Sequence, residues 1–156
     1  MIKICQRYAK DADEAGLIYN NAMLRVFKGI ISYAEEGRLT GWIKTIVINS
    51  CIDFSKRKNI FNNAVSLIRE EEVVIYPEVF DSLSGKDIQK LIAELPGATA
   101  TVFNLYVYEG FTHKQVGDKL GISDSTSKWH VSEAKKILRT KLERSLKTEL
   151  KVNAAG

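Results

Sequence analysis

At 156 residues and 17.5 kDa the chain has room for one ordinary domain or two very small ones, because domains usually run to about 100–150 residues. A hydrophobic share of 45% beside 27% charged residues belongs to a folded soluble protein, and a mean hydropathy of −0.14 is too low for a membrane bundle. Two cysteines, Cys5 and Cys51, with two histidines, His113 and His130, are too few for a four-thiolate zinc site or a disulfide framework, and no cofactor or metal is expected.

Ten glycines and only two prolines, Pro77 and Pro96, supply too few turns for many short strands, so the chain is expected to be all-α. Met1 to Lys10 is broken by Lys3, Gln6 and Arg7 and lacks the apolar core of a secretion signal, which points to a cytoplasmic protein with no membrane partner. The net charge of +4 is unevenly spread: +4 in residues 1–60, −4 in 61–84 and +4 in 85–156. Two basic blocks therefore flank an acidic connector holding Glu70, Glu71, Glu72, Glu78 and Asp81. The pattern predicts two small helical domains, 1–60 and 85–152, joined by a linker over 61–84. Basic blocks attract phosphate backbones, but a charge of this size only tilts the odds toward nucleic acid.

In the first block a short apolar piece (Ile2, Ile4, Cys5, Tyr8) precedes Asp11 or Asp13, either of which can cap a helix from about Glu14 to Ile31. Ile18, Ala22, Val26 and Ile30 recur every four residues on it, with Met23 and Phe27 widening the buried stripe. After a turn-rich stretch from Ser32 to Gly41, Trp42 to Phe54 reads as a second helix. Its β-branched run resembles a strand, but its length, the polar pair Asn49 and Asp53, and the cationic end Lys56-Arg57-Lys58 fit a helix. Asp53 reads as a structural hydrogen-bonding residue, Trp42 as a core anchor and the cysteines as small core residues.

In the second block Ser84 is a candidate cap, Ile88, Leu91, Ile92 and Leu95 mark a buried face, and Pro96-Gly97 stops the helix. A helix from about Thr99 to Tyr108 follows, carrying Val102, Phe103 and Tyr106. Thr112-His113-Lys114-Gln115 has the form of a capping box, Val116 and Leu120 point to the core, and Gly121 supplies a left-handed helix end. Ser123 then caps a long last helix with Val131, Ala134, Leu138 and Leu142 buried and Leu146 and Leu150 extending the stripe.

A short capped helix, a glycine turn and a longer basic helix make a helix-turn-helix, whose second helix can enter a major groove about 12 Å wide. With Val131, Ala134 and Leu138 in the core, Lys128, Trp129, Ser132, Glu133, Lys135 and Lys136 fall on other faces, free to meet DNA. Lysine reaches phosphate or guanine, serine either base or phosphate, and glutamate accepts from a cytosine amino group. The plainer reading is a helical hairpin whose lysines are a solvated face.

Leu95-Pro96, Val102-Phe103, Glu109-Gly110-Phe111-Thr112, Gln115 to Ser123 and Ala134-Lys135-Lys136-Ile137-Leu138 resemble region four of bacterial extracytoplasmic-function sigma factors. Asp13-Glu14-Ala15, Phe27, Gly41-Trp42-Ile43, Ile46, Asn49 and Asp53 resemble region two of the same family. The resemblance implies a non-enzymatic subunit that binds core RNA polymerase and promoter DNA, with an anti-sigma protein as a further partner. It implies that the helix from Glu14 to Lys28, with Glu14, Asn20, Asn21 and Arg25, docks on the polymerase. It also implies that Tyr33 and Asn49 meet a flipped base of the minus-ten element, with Lys44 and Arg57 as basic neighbours for phosphate. An aromatic ring stacks on an unstacked base and an amide reads its edge. Thr112, Lys128, Trp129, Ser132, Glu133, Lys135 and Lys136 then become the minus-thirty-five contacts, and the connector a segment that threads the RNA exit path.

The chain departs from the family pattern at Gly16-Leu17, where an acidic pair is usual, at Asn20-Asn21, where a glutamine-acid pair is usual, and at Glu133, where a basic residue is common. The family also has a helix ahead of the position of Met1, so the face made by Ile18, Ala22 and Val26 is expected to be less covered. Two other classes stay open on the residues alone: a stand-alone helix-turn-helix regulator, and a sigma-like module that binds protein without reading DNA.

Overall fold

The computed structural model describes residues 1–34, 37–57 and 85–154, with side chains described except at 85–87, 89 and 145–154. The acidic connector, the Ser84 cap and the Leu146–Leu150 extension of the last stripe lie outside those residues and side chains. All regular structure among the described residues is helical, in two compact units, Met1–Val65 and Ser66–Gly156.

The first unit holds α1 (Ile2–Gln6), α2 (Ala12–Gly29), a 3-10 turn (Ile30–Ser32) and α3 (Leu39–Arg57). Asp11, in extended conformation, caps α2: its Oδ1 accepts from the Glu14 N–H at 2.8 Å, satisfying one amide that has no partner within the helix. Helix α3 starts at Leu39, three residues earlier than the sequence suggests. α2 and α3 pack on each other and α1 lies against both.

Ala15, Ile18, Ala22 and Val26 of α2 are buried against Ile4 and Cys5 of α1 and Val47, Ile48, Cys51 and Ile52 of α3. The face expected to be less covered is thus closed. Phe27 and Ile30, placed in the core by periodicity, are exposed instead, because Ala15 rather than Phe27 completes the stripe that α3 meets. Cys5 and Cys51 are both fully buried; a hydrogen bond from Cys51 holds the Cys5 thiol below its ordinary pKa against the opposing effect of burial. Gly29 is where the Trp42 ring crosses α2, since a Cβ there would lie 3.0 Å from the ring.

The second unit holds α4 (Gly85–Ala93), α5 (Gly97–Phe103), a π-helical turn (Asn104–Tyr108), α6 (His113–Leu120) and α7 (Asp124–Ala154). At 1.5 Å per residue the 31 residues of α7 extend roughly 46 Å, and α4, α5 and α6 all pack on it. Ile92, Leu95, Phe103, Ala134 and Leu138 form a core cluster, with Ile88, Leu91, Ala100 and Ile137 packed against it.

The π turn is closed by the Glu109 N–H on the Asn104 carbonyl at 3.1 Å; Leu105, three residues after Val102, is fully buried and Tyr106 is exposed. An ion pair between Lys141 and Glu94 ties α7 to the end of α4.

Candidate nucleic-acid interface

The helix-turn-helix is built from local hydrogen bonds that the sequence specifies. Thr112 Oγ1 accepts from the Gln115 N–H at 3.2 Å while Gln115 Oε1 accepts from the Thr112 N–H at 2.9 Å, so the start of α6 is capped reciprocally. At its end Gly121 adopts φ 74°, and the N–H groups of Gly121 and Ile122 both return to the Gly117 carbonyl at 2.8 and 3.1 Å. Gly117 permits the turn to close onto α6, because a Cβ there would stand 2.6 Å from the Ile122 carbonyl oxygen. Ser123 Oγ then accepts from the Thr126 N–H at 3.0 Å and opens α7.

On α7 the buried side is Ser127, His130, Val131, Ala134, Leu138 and Leu142. At 100° per residue, Lys128, Trp129, Ser132, Lys135, Lys136 and Arg139 fall within roughly 120° on the other side, while Glu133 lies at its edge. Lys128 and Lys136 are exposed; Trp129, Ser132, Glu133 and Lys135 are half-buried. The Trp129 ring meets His130 edge to face, with centroids 4.8 Å apart. The outward arc therefore carries four cations beside one indole, with Arg139 paired to Glu143 of the same arc at 3.0 Å, a surface suited to phosphates and base edges.

Two polar links hold this helix in place. His130 is buried and shares a 3.0 Å hydrogen bond with Thr99 of α5; burial pushes its pKa below the usual histidine value. Its Nε2 is buried without a partner among the described residues. His113 stacks on Tyr106 at 4.2 Å and bonds through Nδ1 to the fully buried Ser127 at 3.0 Å. Its pKa is lowered by burial first and then by Lys128 and Lys135, against the opposing pull of Asp124. His130 could have been found from its spacing, four residues before Ala134 and eight before Leu138. For His113 the sequence carries no such signal.

In the first unit, Tyr33 packs on Trp42 with ring centroids 4.9 Å apart, and its hydroxyl accepts from the Arg38 N–H at 3.2 Å. Asn49 is exposed and lies seven residues after Trp42, hence on the same face of α3. Tyr33 thus packs on a residue of the α3 face that carries Asn49 about 10 Å further along. Lys44 is exposed but about 140° around the helix from Asn49, so it does not share that face.

The remaining candidates gather elsewhere. Arg25 of α2 pairs with Asp53 of α3 at 2.7 Å, which gives Asp53 the structural role expected of it. Glu14 lies beside Lys10 at the capped start of α2, and Asn20 is exposed. An open hollow of about 230 Å³ is lined by Asn21, Leu24, Arg25, Lys28 and Arg57. Arg57 thus lines this hollow beside the side chains of α2.

Residues 1–60 match the sigma-70 region 2 family and residues 85–138 match sigma-70 region 4, together well over half of the chain. The chain belongs to the ECF sigma factors of the sigma-70 family. This is a family of proteins that are not enzymes.

The sigma factor is 21% identical over 135 residues to the ECF RNA polymerase sigma factor SigM of Mycobacterium tuberculosis, covering 86% of this chain and 66% of SigM. Against the ECF RNA polymerase sigma factor SigE of Mycolicibacterium smegmatis it is 22% identical over 144 residues, covering 88% of this chain and 55% of SigE. It thus spans just under two thirds of the one relative and about half of the other. In fold it is similar to the sigma factor RpoE of Bartonella quintana, solved in complex with the anti-sigma factor NepR, with a TM-score of 0.57 at 20% identity, covering 92% of this chain and 89% of that one. Region 2 corresponds to the unit of α1 to α3, and region 4 reaches from α4 to Leu138 in the middle of α7. Among the described residues no helix is long and apolar enough to cross a membrane.

Proposed function

We propose that this sigma factor binds core RNA polymerase and directs it to a set of promoters, with a division of labour between its units. Residues 1–60 would grip the polymerase through α2, with Glu14, Asn20, Asn21 and Arg25, and present Tyr33 and Asn49 to an unpaired base of the minus-ten element. Residues 85–152 would set α7 in the major groove of the minus-thirty-five element, with Thr112 at the start of α6 close to the phosphate backbone. The work takes place in the cytoplasm. An anti-sigma protein is a further partner class, as the RpoE of similar fold was solved with NepR.

The observation that carries this reading is the cationic outward arc of α7, held by Thr99–His130 and His113–Ser127 behind a capped α6, in a chain that also contains a region 2 unit. A stand-alone regulator has no use for that second unit. The test is co-elution with bacterial core polymerase and run-off transcription from a promoter library. Charge reversal at Lys128 and Lys136 is expected to weaken duplex binding while core association persists. Failure of the unaltered chain to bind core refutes the proposal.

A further inference from the structure

His113 stands at the joint of the helix-turn-helix. It is the first residue of α6, directly after the exposed Thr112 cap, and its ring contacts both α7 and the π turn. Its Nδ1 lies 3.0 Å from the Oγ of Ser127, whose neighbour Lys128 begins the outward arc. The ring face lies on Tyr106, with centroids 4.2 Å apart and planes 14° from parallel. The other nitrogen, Nε2, has no hydrogen-bond partner among the described residues, and the side chain is half-buried, whereas His130 Nε2 is sealed in the core.

Both direct contacts suit an imidazolium. A protonated ring donates from Nδ1 to the Ser127 hydroxyl, which can accept as well as donate, and the face of a tyrosine ring attracts a cation within about 6 Å. The wider setting opposes the charge and lowers the pKa. Burial acts first, then Lys128 of α7, with Lys135 adding to it and Asp124 pulling the other way; from the π turn Tyr106 presents an uncharged ring. The start of α6 acts in the same sense as the lysines, unfavourable to a cation and favourable to an anion.

Two of the opposing charges are ones that face DNA. Lys128 and Lys135 belong to the outward arc, so a phosphate paired with either offsets its repulsion of His113. We infer that His113 is a proton-linked contact to the minus-thirty-five phosphate backbone: neutral in the free chain, it takes up one proton when the duplex docks on α7 and donates from Nε2 to a phosphate oxygen. The inference rests on the proposal that α7 enters the major groove, and it adds one residue and one proton to that reading.

The bound chain then holds the proton more tightly than the free one. Affinity therefore rises as pH falls from the bound pKa toward the free one, which lies below about 6.5, with about tenfold per pH unit as the ceiling for one proton. The test measures the affinity of the holoenzyme, assembled from the full chain and core polymerase, for a promoter duplex recovered by run-off transcription, between about pH 6 and pH 8 at fixed ionic strength. The unaltered chain is expected to bind about threefold or more tightly at the lower pH. His113→Gln, which keeps an amide for Ser127 but does not titrate, is expected to lose most of that dependence and to match the parent within about twofold at the higher pH. A ring that only packs would instead lose affinity by one factor at every pH. Ring-proton NMR reads the same event without a variant, since the chain has two histidines. With the duplex added, His113 should titrate at a higher pH than in the free chain while His130 does not move. Equal pH dependence in parent and His113→Gln overturns the inference, as does a His113 titration that the duplex leaves in place. In either case the proposed function stands, whereas a holoenzyme that binds no promoter at any pH removes both.

Discussion

Gly117→Ala tests the close approach that shapes the helix-turn-helix, and Gly16→Ala is its matched comparison. Both glycines lie inside helices, where alanine is intrinsically favoured by about 0.5–1 kcal/mol. Their surroundings differ. A Cβ at 117 stands 2.6 Å from the Ile122 carbonyl oxygen and 3.6 Å from Asp124 Oδ1, whereas at 16 it meets nothing within 4 Å. The 2.6 Å approach is about 0.5–1 Å short of ordinary C···O contact. The obstacle is main chain in a turn already pinned by the Gly121 and Ile122 N–H groups, so it cannot swing away as a side chain would.

Overpacking typically costs about 1–3 kcal/mol, and a main-chain obstacle puts Gly117 near the top of that range. Offset by the helix preference, the net loss is about 2 kcal/mol, or about 8–16 °C in the melting temperature of a unit this size. Gly16→Ala should gain about 0.5–1 kcal/mol. Urea unfolding followed by far-UV circular dichroism reads the magnitude, and amide hydrogen exchange assigns the loss to α6 and α7. A Gly117→Ala chain as stable as the parent, or a Gly16→Ala chain equally damaged, refutes the reasoning.

Two further outcomes follow from the second unit. His130 and His113 titrate below the ordinary histidine value when folded, so an unfolded chain binds protons at about pH 6.5 that the folded chain does not. The stability they contribute is therefore full above about pH 6.5 and declines as pH falls from there toward the folded pKa. Melting temperatures at pH 7.5 and 5.5 should show this for the second unit, with a smaller difference in His130→Leu; an equal difference in that variant contradicts the assignment. Leu138→Ala, in the cluster with Ile92, Leu95, Phe103 and Ala134, should cost about 2–5 kcal/mol by cavity formation, read by urea unfolding, whereas Lys136→Ala on the outward arc should stay within about 0.5 kcal/mol.

The sequence by itself determined those features whose chemistry closes within a few residues. Thr112 and Gln115 cap each other, Gly121 takes the left-handed conformation and Ser123 opens α7, while of the two caps offered for α2 it is Asp11 that reaches the Glu14 amide. Each is a bond across three residues or one backbone angle, so residue type and spacing suffice. The stripes Ile18–Ala22–Val26 and Val131–Ala134–Leu138 were legible for the same reason. Family motifs in both blocks made the two-unit organisation legible as well.

Tertiary structure decided which of several possible faces finds a partner, since that depends on atoms far away in the chain. Phe27 continues an apolar pattern yet stays in water because α3 meets Ala15, Ile18, Ala22 and Val26 instead. Tyr106, in a π turn closed by one i to i+5 hydrogen bond, is exposed and stacks on His113 of the next helix. His130 counts as polar in any periodicity, but Thr99, 31 residues away, makes it a buried strut. Arg57 follows Asp53 by one helical turn, yet only the packing of α3 on α2 brings it to the hollow with Arg25 and Lys28. Local hydrogen bonds choose the helices; the non-local burial of apolar surface chooses their neighbours, and with them the side chains that are left to bind.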